Sequence, residues 1–573
     1  MSVIDKARAW IAQDPDPDTK REIEMLIARD DRAGLEARFA GSLEFGTAGL
    51  RGVLGAGPTR MNRVTVMRTT SGLCAWLKRQ VPNVATRGIC IGRDARMQSD
   101  VFARDAIEVV LGAGIPVWTF ANVVPTPVLA FSVLELSAGG GVMITASHNP
   151  PEYNGYKVYW ENGAQIIPPN DEGIAREIEL APPANELPRM SMAEGRERGF
   201  LREVDHLVDA YVDLVASAVR QSDERCEVRV AYTALHGVAE GALRDVLSRA
   251  GFCEVQSVAE QAIPDSRFPT VAFPNPEEPG AMDRVLALGS EIDADLVIAN
   301  DPDGDRLAVS VLHDGVFESL AGNDIGILLA DDLLTRHAEL DKPLVVSTVV
   351  SSPMLGLVAA SHGARWEQTL TGHKWIQNRA LELEREGYQY VFGYEEALGY
   401  APLASIRDKD GISSALLIAD LASRLKSRGE TLIDALESLW QEHGVFQGMQ
   451  LSRRFEDVDA QAQMTEVVAD LRRKPPTEIG GHTVMSMIDL GRRVRWTSDG
   501  ETPYERLAKS EVLIFELAGN HRAMVRPSGT EPKLKYYLYA YASSRRGLAP
   551  AREQVAALLE RMAEDLSPGS SDR

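Results

Sequence analysis

The sequence predicts an α/β protein of several domains, three of them built alike, and three observations lead there. At 573 residues the chain is longer than one hydrophobic core serves, which points to three or four domains. A strand–helix–glycine–strand order occurs three times along it. After about Gly444 that order disappears, and the remainder reads as an α+β unit.

Residues 1–40 carry helical spacing, with Trp10, Ile11, Ile23, Met25, Leu26 and Ile27 set among charges. The first repeat is a strand at 88–94, an amphipathic helix at 99–111, Gly114, and a strand at 115–120. The second has a strand at 228–233, a helix at 239–250, Gly251, then a strand at 253–258. In the third the strand is 343–349, the helix 353–361, the glycine Gly363 and the next strand 364–369. Strands alternating with helices give α/β units and a mainly parallel sheet. Glycine after each helix suits a left-handed cap, which costs that residue least. Beyond Gly444, hairpin strands are expected at 512–516 and 522–526, a strand at 534–541 and a helix at 550–566. Boundaries near 205, 318 and 445 give domains 1–205, 206–318, 319–445 and 446–573.

Composition is that of a soluble protein, 44% apolar and 25% charged. A net charge of −22 argues against a general nucleic-acid binder, so an anion site needs local basic residues. Cys74, Cys90, Cys226 and Cys253 are widely spaced with no C-x-x-C pair, which argues against a zinc site or disulfide framework. No signal-peptide core or membrane-length apolar run is present. The expectation is a cytoplasmic protein without nucleic-acid or membrane partners.

Each repeat is followed by a further strand that ends in a polar loop: Thr145–Pro150, Asp301–Arg306 and Gly393–Tyr400. Ligands of open α/β sheets lie beyond the carboxyl ends of strands, so three such loops at one edge would share a cleft. Ser147 is the candidate covalent centre. It lacks the flanking glycines of the G-x-S-x-G elbow, and serine is common in loops. By residue type, His148 polarises a bound phosphate or caps the loop, and Lys157 neutralises phosphate or lies on the surface.

Asp301, Asp303 and Asp305 alternate in an extended loop with Pro302 and Gly304 between them. Carboxylates at that spacing repel one another unless a cation sits among them. Arg306 stands where an EF-hand needs glycine and Leu312 where it needs glutamate. Magnesium bound by a few carboxylates and a phosphate oxygen fits better. In Arg526-Pro527-Ser528-Gly529-Thr530-Glu531-Pro532, a guanidinium, two hydroxyls and a glycine make the inventory of an anion cradle. Glu395 and Glu396 suit sugar hydroxyls or a solvated helix start. His373-Lys374 is a titratable pair of the kind usually found on surfaces. Gly112-Ala113-Gly114 is no dinucleotide motif, since Val117 holds the third glycine position and the run ends a helix.

Taken together, T-A-S-H-N-P at 145–150, D-P-D-G-D-R at 301–306, G-Y-E-E-A-L-G-Y at 393–400 and R-P-S-G-T-E-P at 526–532 resemble the α-D-phosphohexomutases. With F-G-T-A-G-L-R-G at 45–52 the resemblance spans nearly the whole chain. T-G-H-K-W-I at 371–376 and the E-E loop look most like the phosphoglucomutase-2/phosphopentomutase subgroup. The resemblance implies four domains around a central cleft, three related α/β/α domains with mixed sheets plus a C-terminal α+β domain. It implies a mutase passing a phosphoryl group between Ser147 and glucose 1- or 6-phosphate through a bisphosphate, with mannose and pentose phosphates as alternatives. One Mg²⁺ per chain would be held by Asp301, Asp303, Asp305 and phosphorylated Ser147, with a sugar 1,6-bisphosphate as activator. Arg51, His148, Lys157 and Arg306 would steady the phosphoryl group, and His373 or Lys374 would serve proton transfer or sugar orientation. Glu395 and Glu396 would take the sugar hydroxyls, and Arg526, Ser528, Gly529 and Thr530 the far phosphate. A monomer or homodimer is expected. Ala397 departs from the serine that many glucose-preferring members carry.

Overall fold

The computed structural model describes residues 2–219, 226–313, 315–455, 460–527 and 533–567. Two compact units result: Met1–Gly322 with His373–Glu382 and Leu398–Thr431, and Asn323–Gly372 with Leu383–Ala397 and Leu432–Arg573.

The first unit opens with three helices, Val3–Gln13, Pro17–Ala28 and Arg32–Phe39. Ser2 and Asp5 form a capping box, and Asp16 caps the second helix with Pro17 at its first turn. Trp10, Ile23, Leu35 and Phe39 supply a small core, with Trp10 edge-on to Phe39 at 6.2 Å.

Next comes a six-stranded sheet, in the order Leu50–Val53, Tyr153–Trp160, Gly140–Ile144, Ile89–Arg93, Val117–Thr119, Leu201–Glu203. The first two pairings are antiparallel and the rest parallel. Five strands follow in a second sheet: Val316–Ser319, Ala308–His313, Leu296–Ala299, Val230–Thr233, Val255–Ser257. Its first two pairings are also antiparallel and its last two parallel. The same plan thus appears twice, with the signature loop at the hairpin between a buried central strand and its antiparallel return strand. The second unit repeats the parallel half, with Pro343–Thr348 between Arg365–Thr369 and Gln389–Glu395. Gly114, Gly251 and Gly363 all take positive φ after their helices, as the sequence repeat requires.

The three repeats are therefore α/β/α domains with mixed or parallel sheets, as expected. The C-terminal part is a sheet-rich α+β domain, richer in strands than the sequence indicates. Val445–Arg454, Lys533–Ala542, His521–Pro527, Leu513–Leu517, His482–Asp489, Val494–Thr497 and Gly500–Pro503 run antiparallel in that order, and Leu548–Leu566 packs as its helix. The strand before the third polar loop also runs longer than expected, past Gly393 to Glu395. Its neighbour Pro343–Thr348 keeps hydrogen-bond register with Gly393 and Tyr394, and burial persists through those positions.

Candidate active site

Every residue of strand Gly140–Ile144 is buried, which places the polar turn after it at the sheet edge. Ser147 there has φ 55°, a left-handed conformation uncommon for residues with a side chain. Its amide donates to Thr145 Oγ1 at 2.8 Å. The loop is held from outside by Arg96, whose guanidinium donates to Ser147 O (2.6 Å), Pro150 O (2.9 Å), Tyr153 O (3.2 Å) and Asn149 O. Arg96 is itself buried beside Asp94, which accepts from Ser99 Oγ at 2.6 Å. Arg51, on strand Leu50–Val53, donates to Asn149 Oδ1 at 3.0 Å.

The acidic loop meets this serine. Ser147 Oγ donates to Asp301 Oδ2 at 3.0 Å and lies 3.3 Å from His148 Nδ1. Asp301, Asp303 and Asp305 are fully buried, and one ligand oxygen from each lies within 4.8 Å of the others. Asp301 Oδ1 accepts from the amides of Asp305 (3.1 Å) and Arg306 (3.0 Å), which fixes the turn. Lys157, on the return strand Tyr153–Trp160, donates to Asp303 Oδ2 (2.7 Å) and Asp305 Oδ2 (2.9 Å). Lys409 Nζ stands 3.3 Å from the same Asp305 oxygen, and Thr126 Oγ1 donates to Asp303 Oδ2 at 2.7 Å.

These partners all engage the Oδ2 atoms. Among the described residues, Asp303 Oδ1 and Asp305 Oδ1 are buried without a hydrogen-bond partner. Orphaned buried carboxylate oxygens are costly, and a hard divalent cation is the partner that such an all-oxygen set suits. The residues present therefore fit a metal. Electrostatics agree: burial and the two neighbouring carboxylates push Asp301 well above the usual carboxylate range. Burial would do the same to Asp305, but Lys157, Lys409 and Arg306 outweigh it and bring Asp305 below that range. His148 is driven well below the ordinary imidazole value by burial, then by Arg306 and Arg51, so its ring is neutral.

Arg306 Nη1 donates to Glu277 Oε2 at 3.2 Å. His373 and Lys374 open the helix His373–Arg385; His373 is buried, and Lys374 Nζ donates to Thr47 Oγ1 in the F-G-T-A-G-L loop.

In the second unit, Glu395 Oε1 accepts from the Gly372 amide at 2.7 Å. Glu396 Oε2 accepts from Ser351 Oγ (3.1 Å) and Thr348 Oγ1 (3.2 Å). Burial and then the Glu395 charge raise Glu396 from 4.5 to about 7. Arg526 lies on strand His521–Pro527 with a hydrogen bond to Tyr537.

Three family profiles cover well over half of the chain: phosphoglucomutase/phosphomannomutase alpha/beta/alpha domain I at 42–182, domain II at 209–315 and domain III at 321–443. The chain belongs to the α-D-phosphohexomutase superfamily. Among curated relatives of this phosphomutase, a Haemophilus influenzae protein named "Probable phosphomannomutase" is 39% identical over 84% of the chain and 93% of its own length. Mouse phosphopentomutase is 35% identical over 92% and 88%, and human glucose 1,6-bisphosphate synthase 31% over 97% and 93%. The sequence places it with the phosphoglucomutase-2/phosphopentomutase subgroup. Paramecium parafusin, a phosphoglucomutase, shares the fold at TM-score 0.66 and 16% identity, over 93% of this chain and 97% of that one. The protein is an isomerase-type phosphotransferase.

Within the phosphomutase, the first unit brings together Ser147, His148, Lys157, Asp301, Asp303 and Asp305 by direct contacts, with Arg51 and Arg306 tied to the same two loops. His373 and Lys374 also belong to that unit, and Lys374 is tied to the F-G-T-A-G-L loop through Thr47. Unlike most lone His–Lys pairs, which lie on surfaces, this one has a buried member: His373 is 2% exposed at the start of its helix. Glu395, Glu396 and Arg526 belong to the second unit. Ser528, Gly529 and Thr530 lie outside the described residues. Three participants escaped the sequence reading: Arg96, Thr126 and Lys409. Only Lys409 sits in a visible signal, the charged run Arg407-Asp408-Lys409-Asp410 before the helix Gly411–Ser427.

Proposed function

We propose that this phosphomutase interconverts glucose 1-phosphate and glucose 6-phosphate through phosphorylated Ser147 and a glucose 1,6-bisphosphate intermediate. The observation that carries the reading is Ser147 Oγ donating to Asp301 Oδ2 at 3.0 Å, beside two buried carboxylate oxygens in want of a cation. In this reading Asp301, Asp303 and Asp305 hold Mg²⁺. When bound, the ion neutralises charge on the phosphoryl oxygens.

The chain's own residues do the rest. A sugar hydroxyl oxygen bonds to phosphorus while the P–Oγ bond of phospho-Ser147 breaks, and the hydroxyl proton passes to His373 or Lys374. Phosphoryl transfer asks for positioning and charge neutralisation more than for covalent chemistry. Arg96 positions the serine through the loop carbonyls. Lys157 and Arg306 offset the charge, and neutral His148 offers a hydrogen bond to the phosphoryl group. Released Ser147 Oγ takes up a proton from water, the base returning the sugar's proton to water in turn, and the Oγ–H then donates to the Asp301 carboxylate as it does in the unphosphorylated chain. Glu395 and Glu396 take hydroxyls, and Arg526 the phosphate that does not react. With the bisphosphate reversed, the other phosphate returns to Ser147.

A pentose substrate is the second reading, favoured by relatives named phosphopentomutase and phosphoribomutase at 34–35% identity over more than nine-tenths of the chain. Catalytic efficiencies on glucose, mannose and ribose 1-phosphates, with Mg²⁺ and bisphosphate added, separate the readings. A clear ribose or mannose preference rejects glucose. Ser147→Ala is expected to abolish interconversion of every sugar, and normal turnover by that variant would falsify the phosphoserine route.

A further inference from the structure

The second unit holds a basic pocket that the reaction does not use. A cavity of about 80 Å³ is lined by Arg495, Arg506, Arg522 and Tyr504, by Glu367 and Glu516, and by the end of strand Arg365–Thr369 at Gln368. That volume holds several waters, room enough for a single phosphoryl group. Both carboxylates are already engaged. Glu516 Oε2 accepts from Arg495 Nη2 (2.6 Å) and Ser486 Oγ (2.5 Å), and Glu367 Oε2 accepts from Arg365 Nη2 (2.8 Å).

The donors, by contrast, are in surplus. Among the described residues neither Arg522 nor Arg506 makes a side-chain hydrogen bond or ion pair. Arg495 Nε and Gln368 Nε2 are buried without an acceptor. Arg522 is half-buried, and burial, against the pull of Glu516 and Tyr504, lowers its pKa. A half-buried cation and two buried donors without acceptors gain from an anion with several acceptor oxygens.

The pocket is separate from the expected phosphate cradle. Arg522 and Arg526 lie on one face of strand His521–Pro527, four residues apart. At about 3.4 Å per residue that places their backbones roughly 13 Å from one another, too far for one phosphate to bridge as the cradle would.

We propose that Arg522, Arg495, Arg506, Tyr504 and Gln368 form a second anion site, which takes the phosphoryl group of a small phosphorylated metabolite. Arg522 supplies the unneutralised charge, and Tyr504 and Gln368 supply neutral donors around it.

The test uses the full chain with inorganic phosphate as probe, sulfate and citrate as comparison anions, and chloride at matched ionic strength. Binding is followed by calorimetry with the catalytic site saturated by glucose 1,6-bisphosphate. The wild type is expected to bind phosphate under that saturation, with citrate at least tenfold weaker. Arg522→Met should lose this binding at least tenfold while keeping kcat/KM within twofold, and Arg506→Met should weaken it several-fold. Arg522→Met removes a half-buried charge that has no partner among the described residues, so its thermal midpoint should equal or exceed that of the wild type; this separates lost binding from lost folding. No phosphate binding beyond chloride in the saturated wild type would overturn the site, as would equal binding by Arg522→Met. Tighter binding of citrate than of phosphate would overturn the assignment to a phosphoryl group.

Discussion

Replacing Lys157 by methionine tests whether the acidic loop is built for a divalent ion. Lys157 is almost fully buried and donates to Asp303 at 2.7 Å and Asp305 at 2.9 Å. Methionine keeps much of the stem and removes the charge. Breaking a buried pair from one side costs about 3–5 kcal/mol, because the partner charges are left behind. Lys409, 3.3 Å from Asp305, retains part of the compensation, so about 3 kcal/mol is expected in EDTA. Magnesium should reverse much of this. Lys157 and the metal compete for the same negative charge, and two unit charges about 4 Å apart at an effective dielectric near 20 exchange about 4 kcal/mol. Lys157→Met should therefore bind Mg²⁺ more tightly than the wild type and be stabilised more by it, while its turnover falls at least a hundredfold. The assay is urea unfolding followed with and without Mg²⁺, together with calorimetric Mg²⁺ titration. An equal stability loss in EDTA and in Mg²⁺, or weaker Mg²⁺ binding by the variant, would show that Lys157 does not share the carboxylates with a metal.

Thr126→Val removes the 2.7 Å hydrogen bond to Asp303 and leaves a buried carboxylate oxygen short of one donor. It should lower kcat roughly tenfold, in line with a loss of about 1–2 kcal/mol, and weaken Mg²⁺ binding; unchanged kinetics would remove Thr126 from the metal loop's support. Glu396 has its carboxyl raised from 4.5 to about 7, so it is protonated below that range and becomes a full acceptor only above it. Ionising it costs the folded state about 3 kcal/mol, a penalty that grows as pH rises from 4.5 to about 7 and is constant beyond. KM for the sugar phosphate should accordingly fall as pH rises through about 7, and Glu396→Gln should flatten that profile; a wild-type KM independent of pH across this window argues against the role. Cys74 and Cys90 are buried, with the Cys74 thiol pushed up to about 12, whereas Cys226 and Cys253 are exposed. A thiol reagent should therefore titrate two groups in the native protein and four in urea, and rapid labelling of all four would contradict the packing of the first sheet.

What could be read from the sequence divides along a physical line. The three α/β repeats were legible because each stacks a short apolar strand, an amphipathic helix and a glycine stop within about thirty residues, all local signals. The C-terminal strands Val494–Thr497 and Gly500–Pro503 were not, because each is only four residues long, the first no more than half-buried and the second exposed with no apolar alternation. The same division runs through the candidate site. Ser147 and the three aspartates announce themselves as runs of unusual residues in a row. Thr126 and Asp303 are 177 positions apart, and Lys157 and Asp303 are 146 apart, so nothing in either neighbourhood reveals the pairing. The burial of His373 was not legible for a related reason: it depends on tertiary packing, not on its sequence neighbours.

Arg96 gives the serine loop an uneven tolerance to change. Within the serine loop its guanidinium reads only backbone carbonyls, those of Ser147, Asn149, Pro150 and Tyr153, while Asp94 pairs with its Nε at 3.5 Å and its face rests on the Phe268 ring at 5.0 Å. Carbonyls are present whatever the side chain, so this grip puts little constraint on the residue types at Asn149, Pro150 and Tyr153. The constraint is concentrated instead in one arginine fifty positions upstream, which lysine cannot replace because a single ammonium cannot span four acceptors. A saturation-mutagenesis map of this protein should show permissive positions at Pro150 and Tyr153, close to the intolerant Ser147, and an intolerant Arg96 far from it in sequence.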